Sequence, residues 1–101
     1  MANYANLELQ IVRWAEARQI IPNSTASTQL MKTMSELGEL ADATIKDDRA
    51  GIIDGVGDVL VTLIIYCALQ DIPLTECLET AYKEIENRKG TLLPNGVFVK
   101  E

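Results

Sequence analysis

Four carboxylates, arranged in two short groups, are the side chains in this sequence best suited to chemistry. Glu36 and Glu39 form the first group, and Asp54 and Asp58 form the second. Positions three or four apart lie on one face of a helix, so each pair would present two carboxylates side by side. Carboxylate oxygens are the preferred ligands of Mg²⁺ and Mn²⁺, ions that commonly serve phosphate chemistry. The spacing predicts a divalent-metal site if the two groups face each other.

Two helices joined by a short loop would bring the groups together. The first begins at a cap provided by Ser24 or Thr25 and continues to about position 45, where the charged segment 46–49 breaks the pattern. Its apolar stripe comprises Leu30, Met34, Leu37, Ala41 and Ile45. The second spans about 49–70, with an Asp of the loop available to cap it. In an antiparallel pair, both acidic groups would lie at similar distances from the loop.

Asp58 is the most informative of the four acids. It stands at the start of the apolar run 59–69, where a carboxylate is rarely buried unless it is paired or bound to metal. Three of the six glycines also lie within the acidic groups, although glycine inside a helix costs about 1 kcal/mol relative to alanine. This combination indicates close approach of a backbone or a ligand. Converging carboxylates with no arginine nearby would need cations to neutralise them.

The remaining elements are helical up to the tail. Amphipathic spacing predicts helices over about 6–19 and 75–89, the latter ended by Gly90. Segment 91–101 contains Pro94-Asn95-Gly96 between short apolar stretches and is expected to form a small hairpin or extended arm. We expect a single all-α domain over 1–101. The 49–70 helix is apolar on nearly every side, so the four-helix bundle should be completed by oligomerisation.

Composition excludes several kinds of function. Nine basic residues against fifteen acidic ones give a net charge of −6, and no basic cluster suits a nucleic-acid surface. The chain has no His, which excludes Ser-His-Asp and Cys-His nucleophiles and His-based metal sites. Cys67 and Cys77 lack zinc spacing and are expected to be reduced, small hydrophobic side chains. The longest apolar run is shorter than the ~20 residues that span a bilayer, which predicts a soluble, cytoplasmic protein without a membrane partner.

The acidic stretches also resemble a known family. SELGELADA followed by DGVGDVLVTLI resembles the MazG-like all-α nucleoside triphosphate pyrophosphohydrolases, whose hallmark is EExxE, a gap, and ExxD. The resemblance covers residues 32–90. The ending ENRKG…NGVFVKE is most similar to the short MazG-like proteins of phages and prophages.

The motif carries over at three positions and departs at two. Glu36, Glu39 and Asp58 match motif positions, so the resemblance implies that they are metal ligands. Ser35 stands where the family has the first Glu of EExxE, and Gly55 stands where it has the Glu of ExxD. Asp54, one residue before Gly55, is a candidate substitute, although one residue turns a helical side chain by about 100°.

The resemblance implies hydrolysis of a nucleoside triphosphate, especially a deoxynucleotide, to the monophosphate and pyrophosphate. Mg²⁺, or alternatively Mn²⁺, would hold the triphosphate, while Glu36 or Glu39 could orient or deprotonate the attacking water. Lys32, Lys83 and Asn87 are candidate substrate-binding residues. Trp14 and Tyr82 could stack on a base, but both also suit an amphipathic helix.

Other interpretations remain open. The missing acids at Ser35 and Gly55 favour a non-catalytic helical oligomer that binds a partner through a degenerate acidic site. Within the superfamily, a dUTP or phosphoribosyl-ATP pyrophosphatase is a further alternative. The resemblance implies a homo-oligomer, either a dimer or a tetramer.

Overall fold

The computed structural model describes residues 3–101 and shows a mostly helical chain that ends in a small hairpin. The elements are α1 (Tyr4–Ala17), α2 (Ile20–Asn23), α3 (Ala26–Ile45), α4 (Arg49–Leu69), α5 (Leu74–Ile85), β1 (Gly90–Leu92) and β2 (Phe98–Lys100). The predicted all-α class and C-terminal hairpin are confirmed. The helix count needs correction, because the described residues form five helices instead of four.

The additional helix is the single turn α2, in a segment that was predicted to be a connection. Gln19 adopts a left-handed backbone conformation (φ 62°), which ends α1 two residues earlier than predicted and allows a new turn to start. At the other end of the chain, α5 stops at Ile85, four residues before the predicted end.

An antiparallel hairpin of α3 and α4 forms the centre of the molecule. Thr25 caps α3 by accepting a hydrogen bond from the Thr28 amide, and Asp48 caps α4 by accepting one from the Gly51 amide. Both caps agree with the prediction. Asp47 turns the connection through a left-handed conformation (φ 53°), which Asp tolerates better than most residues. The short connection leaves the two helices adjacent along most of their length.

Several small and polar side chains lie in the seam between α3 and α4. Successive contacts pair Thr33 with Thr62, Leu40 with Gly55, and Ala43 with Gly51. Residue numbers increase along α3 while those of their partners decrease along α4, as expected for two antiparallel helices in a single register. A Cβ atom on Gly55 would lie 3.2 Å from the Leu40 Cβ, which shows how closely the two backbones approach.

The apolar stripe predicted for α3 points away from α4. Leu30, Met34 and Leu37 are 45%, 60% and 49% exposed, whereas Gln29 and Thr33 are buried. On α4, Ile53, Val56 and Leu60 are also exposed. The hairpin therefore carries an apolar outer face, which we call the outer stripe and define by these six apolar residues.

The outer helices and the arm attach to this hairpin. α1 packs on α4 and buries Ala15 completely. The Leu74 amide at the start of α5 donates a 2.7 Å hydrogen bond to Glu8 Oε1 of α1. In the arm, β1 and β2 pair antiparallel with Thr91 opposite Val99, and Gly96 (φ 88°) occupies the turn.

By length and composition alone, α4 could also cross a membrane, a property that the core helices of soluble proteins share. Its long packing contact with α3 and the carboxylates of Asp54 and Asp58 favour the role of a core helix.

Candidate active site

The α3–α4 hairpin brings the four predicted carboxylates into one cluster, which we call the acidic cluster. Glu36 and Glu39 extend from α3, and Asp54 and Asp58 extend from α4. Glu36 is within reach of the charges of Glu39 and Asp58, while Asp58 is within reach of those of Asp54 and Glu39. The carboxylates of the two helical pairs therefore lie near enough to influence one another's pKa values, as the predicted metal site requires.

Gly55 explains how Asp54 reaches the cluster. Residue 55 faces the seam and is buried against Leu40, where a longer side chain would collide with the facing helix. Asp54 and Asp58 are one turn apart on the same side of α4, and their carboxyls are close enough to share a hydrogen bond. The acid beside Asp58 is thus at position 54, and position 55 serves helix packing.

Glu36 is half-buried, as Asp58 is, and contains a shielded oxygen atom. Its Oε2 atom is shielded from solvent and has no hydrogen-bond partner among residues 3–101. A buried carboxylate oxygen without a partner is costly to maintain, unless a cation or a bound ligand satisfies it. Within the cluster, this unpaired oxygen most directly indicates that a positive charge is missing.

Carboxyl pKa values report the crowding of negative charge. The neighbouring Glu39 carboxyl, which can share a proton with Glu36, is the largest cause of the raised pKa of Glu36. Partial burial and the charges of Glu39 and Asp58 act in the same direction. Burial is the largest cause of the raised pKa of Asp58, followed by the neighbouring carboxyl of Asp54. Lys32 opposes both shifts, so its ammonium lies close enough to act on the cluster.

The donor set suits a hard divalent cation. All four side chains offer only oxygen ligands, as Mg²⁺ and Mn²⁺ prefer, and Glu36 Oε2 lacks a partner. Within the described residues 3–101, no three acidic or cysteine side chains already have the arrangement of a finished metal centre. Metal binding would therefore require the carboxylates to adjust around the ion.

Two of the predicted substrate-binding residues, Lys83 and Asn87, make no observed polar contact with the acidic cluster within the described part of the chain. Lys83 and Asn87 are exposed, on α5 and just after its end. None of the hydrogen bonds or ion pairs found among residues 3–101 joins either side chain to the acidic cluster. A role for these two residues in substrate binding stays a prediction.

A groove between α1 and α4 was not predicted from the sequence. It measures about 370 Å³ and is lined by Leu7, Gln10, Ile11, Trp14 and Val61. Trp14 is 44% exposed there, and the Arg18 guanidinium lies 4.4 Å from the centre of its ring. Tyr82, the other aromatic considered for base stacking, is exposed on α5. The apolar spacing of α1 is a signal for this groove in the sequence, but spacing alone does not distinguish the lining of a groove from a packed core.

Comparisons with known proteins agree with this geometry. The MazG nucleotide pyrophosphohydrolase domain matches residues 24–93. An uncharacterized 18.2 kDa protein from the rep–hol intergenic region of Haemophilus phage HP1 (strain HP1c1) is 37% identical over 65 residues. That alignment covers 64% of this chain but only 40% of the phage protein, so the chain spans well under half of its curated relative.

A solved structure shares the fold over the whole chain. The MazG-like pyrophosphohydrolase of cyanophage S-2L, bound to dGDP and three catalytic Mn²⁺ ions per active site, superposes with a TM-score of 0.69. The alignment covers 100% of this chain and 99% of that one, at 24% identity. Since the matching family domain covers more than half of the sequence and includes all four carboxylates, the chain belongs to the MazG nucleotide pyrophosphohydrolase domain family.

Proposed function

We propose that this protein hydrolyses nucleoside triphosphates, and deoxynucleoside triphosphates in particular, to the monophosphate and pyrophosphate. The observation that supports this best is the acidic cluster around the unpartnered Glu36 Oε2 atom, in a chain of the MazG family. The cyanophage relative, which holds a deoxynucleotide and Mn²⁺, supports the same chemistry.

Glu36, Glu39, Asp58 and Asp54 would hold Mg²⁺ or Mn²⁺. When bound, such ions neutralise the triphosphate, polarise the phosphoryl group and lower the pKa of an attacking water. Asp54 takes the part that the family assigns to the position of Gly55, because it lies beside Asp58 on the same side of α4.

We assign proton transfer to the two glutamates of α3. Glu36 or Glu39 accepts the proton of the attacking water, and the raised pKa of Glu36 brings that carboxylate closer to the basicity that this step requires. Lys32, whose charge already acts on the cluster, is placed to meet phosphate oxygens. Lys83 and Asn87 remain candidate contacts to the substrate.

The decisive experiment measures pyrophosphate release from every common dNTP and NTP, with Mg²⁺ and with Mn²⁺. Glu39→Gln and Asp58→Asn should lose activity while keeping the helical circular dichroism of the wild type. Glu79→Gln, which changes an exposed acid on α5, is the matched control and should remain active. Unchanged turnover in both cluster variants would refute the proposed site.

Experiments with the same protein distinguish two alternative functions. A partner-binding module with a degenerate site is favoured by the departures at Ser35 and Gly55, and it predicts neither metal nor nucleotide binding in calorimetry at millimolar concentrations. A dUTP or phosphoribosyl-ATP pyrophosphatase would instead cleave only its own substrate when dUTP and phosphoribosyl-ATP are added to the panel.

We also propose a soluble, cytoplasmic homo-oligomer, either a dimer or a tetramer, without nucleic-acid or membrane partners. The chain exposes 7633 Å², whereas a compact monomer of its mass exposes about 5,700 Å². Its radius of gyration is 16.1 Å, against about 13 Å for a compact chain of 100 residues. A second copy that covers the outer stripe would account for this excess.

A further inference from the structure

A buried pair of hydroxyl groups crosses the α3–α4 seam next to the acidic cluster. Thr33 and Thr62 are 4% and 3% exposed, and their Oγ1 atoms lie 2.8 Å apart. Thr62 Oγ1 donates its proton to the Val59 carbonyl at 2.8 Å, so Thr33 donates to Thr62. The Gln29 carbonyl, 3.0 Å from Thr33 Oγ1, is an alternative acceptor.

This hydrogen bond is the only side-chain bond between α3 and α4 among residues 3–101. The seam also pairs Gly55 with Leu40 and Gly51 with Ala43 by van der Waals contact, which determines how closely the two helices approach. A helix that slides by one residue moves by about 1.5 Å along its axis. The Thr pair is the directional contact of this seam, and together with the glycine contacts it distinguishes one register from the next.

The pair lies one helical turn from the acids on both helices. Glu36 follows Thr33 by three residues on α3, and Asp58 precedes Thr62 by four on α4. The chain of hydrogen bonds ends on the carbonyl of Val59, which directly follows Asp58. Any shift of register at the Thr pair would therefore change the separation of the two carboxylates.

We propose that the Thr33–Thr62 hydrogen bond is a positioning contact, which sets the register of α3 against α4 and thereby the spacing of the Glu36 and Asp58 carboxylates. Its consequence for metal binding rests on the proposed function. The two threonines touch neither substrate nor metal in this role and act only through the acids.

The test compares three substitutions by Mn²⁺ calorimetry and by thermal unfolding without metal. Thr62→Val keeps the buried volume but removes the cross-helix bond, and Thr33 can then donate to Gln29 instead. Thr62→Ser keeps the hydroxyl but loses a buried methyl group. Thr44→Val is the matched control, because Thr44 donates only within α3, to the Leu40 carbonyl at 2.8 Å.

Affinity and stability should rank the Thr62 variants in opposite orders. Thr62→Val should weaken Mn²⁺ binding by about tenfold, the lower end of the range for groups that hydrogen-bond a metal ligand, because Thr62 acts on the acids only through the helices. Thr62→Ser should unfold at the lowest temperature and yet bind Mn²⁺ almost as well as the wild type. If Thr62→Val bound like the wild type, or if affinity simply followed stability, the inference would be overturned.

A metal-free measurement separates this inference from the proposed function. In the wild type, the Ala43 methyl group and the Gly51 α-protons should give a nuclear Overhauser effect, since the helices touch there. The Thr33→Val/Thr62→Val double variant should weaken it. A wild type that fails to bind Mn²⁺ would refute the proposed function alone, whereas an unchanged signal in the double variant would refute the register role.

Discussion

Glu36 and Asp58 have raised pKa values, which connects the acidic cluster to the stability of the metal-free protein. A raised carboxyl pKa means that the folded state binds protons more readily than the unfolded chain does. The resulting contribution to stability is complete below the ordinary carboxyl pKa and is lost as pH rises through the raised folded value. At neutral pH the cluster therefore opposes folding unless a cation is bound.

We expect Asp58→Asn to stabilise the metal-free protein more at pH 7 than at a pH below the ordinary carboxyl pKa. The substitution removes a charge that is repelled by Asp54 and Glu39 only when it is ionised. Thermal unfolding in the presence of a chelator, at a series of pH values, measures the difference. Asp71→Asn, which lies outside the cluster, is the control, and an equal effect at all pH values would contradict the prediction.

Mn²⁺ should restore at pH 7 the stability that the crowded charges remove. A ligand that binds only the folded state at one hundred times its Kd stabilises by about 2.7 kcal/mol. A Mn²⁺ titration followed by thermal unfolding should therefore raise the melting temperature of the wild type and leave that of Asp58→Asn nearly unchanged. Equal increases in both proteins would indicate binding elsewhere.

Gly55 determines how closely the two helices that carry the acids approach each other. Its missing side chain lets α3 and α4 approach, and a Cβ atom there would lie 3.3 Å from the Leu40 Cα, which is backbone and cannot rotate away. Restoring the family acid as Gly55→Glu should therefore force the helices apart and cost about 1–3 kcal/mol, as overpacked cores do. We expect it to weaken Mn²⁺ binding rather than add a ligand.

Gly57→Ala provides the matched comparison. Gly57 lies on the same helix, where an added Cβ atom would meet no packing partner within 4 Å among the described residues. Alanine is also favoured over glycine in a helix by about 1 kcal/mol. Chemical denaturation should show that Gly57→Ala is at least as stable as the wild type while Gly55→Glu is less stable. Similar losses in both would contradict the assignment of Gly55 to packing.

Glu8 of α1 forms a hydrogen bond that joins this helix to the start of α5. Its carboxylate accepts a hydrogen bond from the amide at the start of α5, where Pro73 provides no side-chain cap. Glu8→Ala should cost about 1 kcal/mol, the usual effect of losing a helix cap. Urea unfolding measures it, with the exposed Glu16→Ala as the control on α1. Equal effects of the two substitutions would argue against a capping role.

Helix periods and the spacing of the acids could be predicted from the sequence because both are local. The same patterns identified the Thr25 and Asp48 caps and the turn at Gly96. The side of α3 that packs on α4 could not be predicted, since a helical wheel shows which residues share a face but not what covers that face. Thr33 was therefore overlooked in favour of the apolar stripe that includes Met34.

The whole molecule exposes more surface than a compact monomer of its mass, which predicts that copies of the chain assemble. Met34 is 60% exposed at the middle of the outer stripe, so Met34→Lys should place a charge in the contact between copies. Light scattering at micromolar concentration should give a dimer or tetramer for the wild type and smaller species for this variant. Glu79→Lys, a change at an exposed position on α5, should assemble normally. A monomeric wild type would refute the proposed oligomer.

The placement of all four acids within one helical hairpin has a consequence for the order of events during folding. Contacts between residues close in sequence form fastest, because closing a short loop costs little chain entropy. The α3–α4 hairpin has a three-residue connection between its helices and needs no distant part of the chain to align its seam. We therefore expect the acidic cluster to be assembled early, before α1 and α5 dock and before a second copy is encountered.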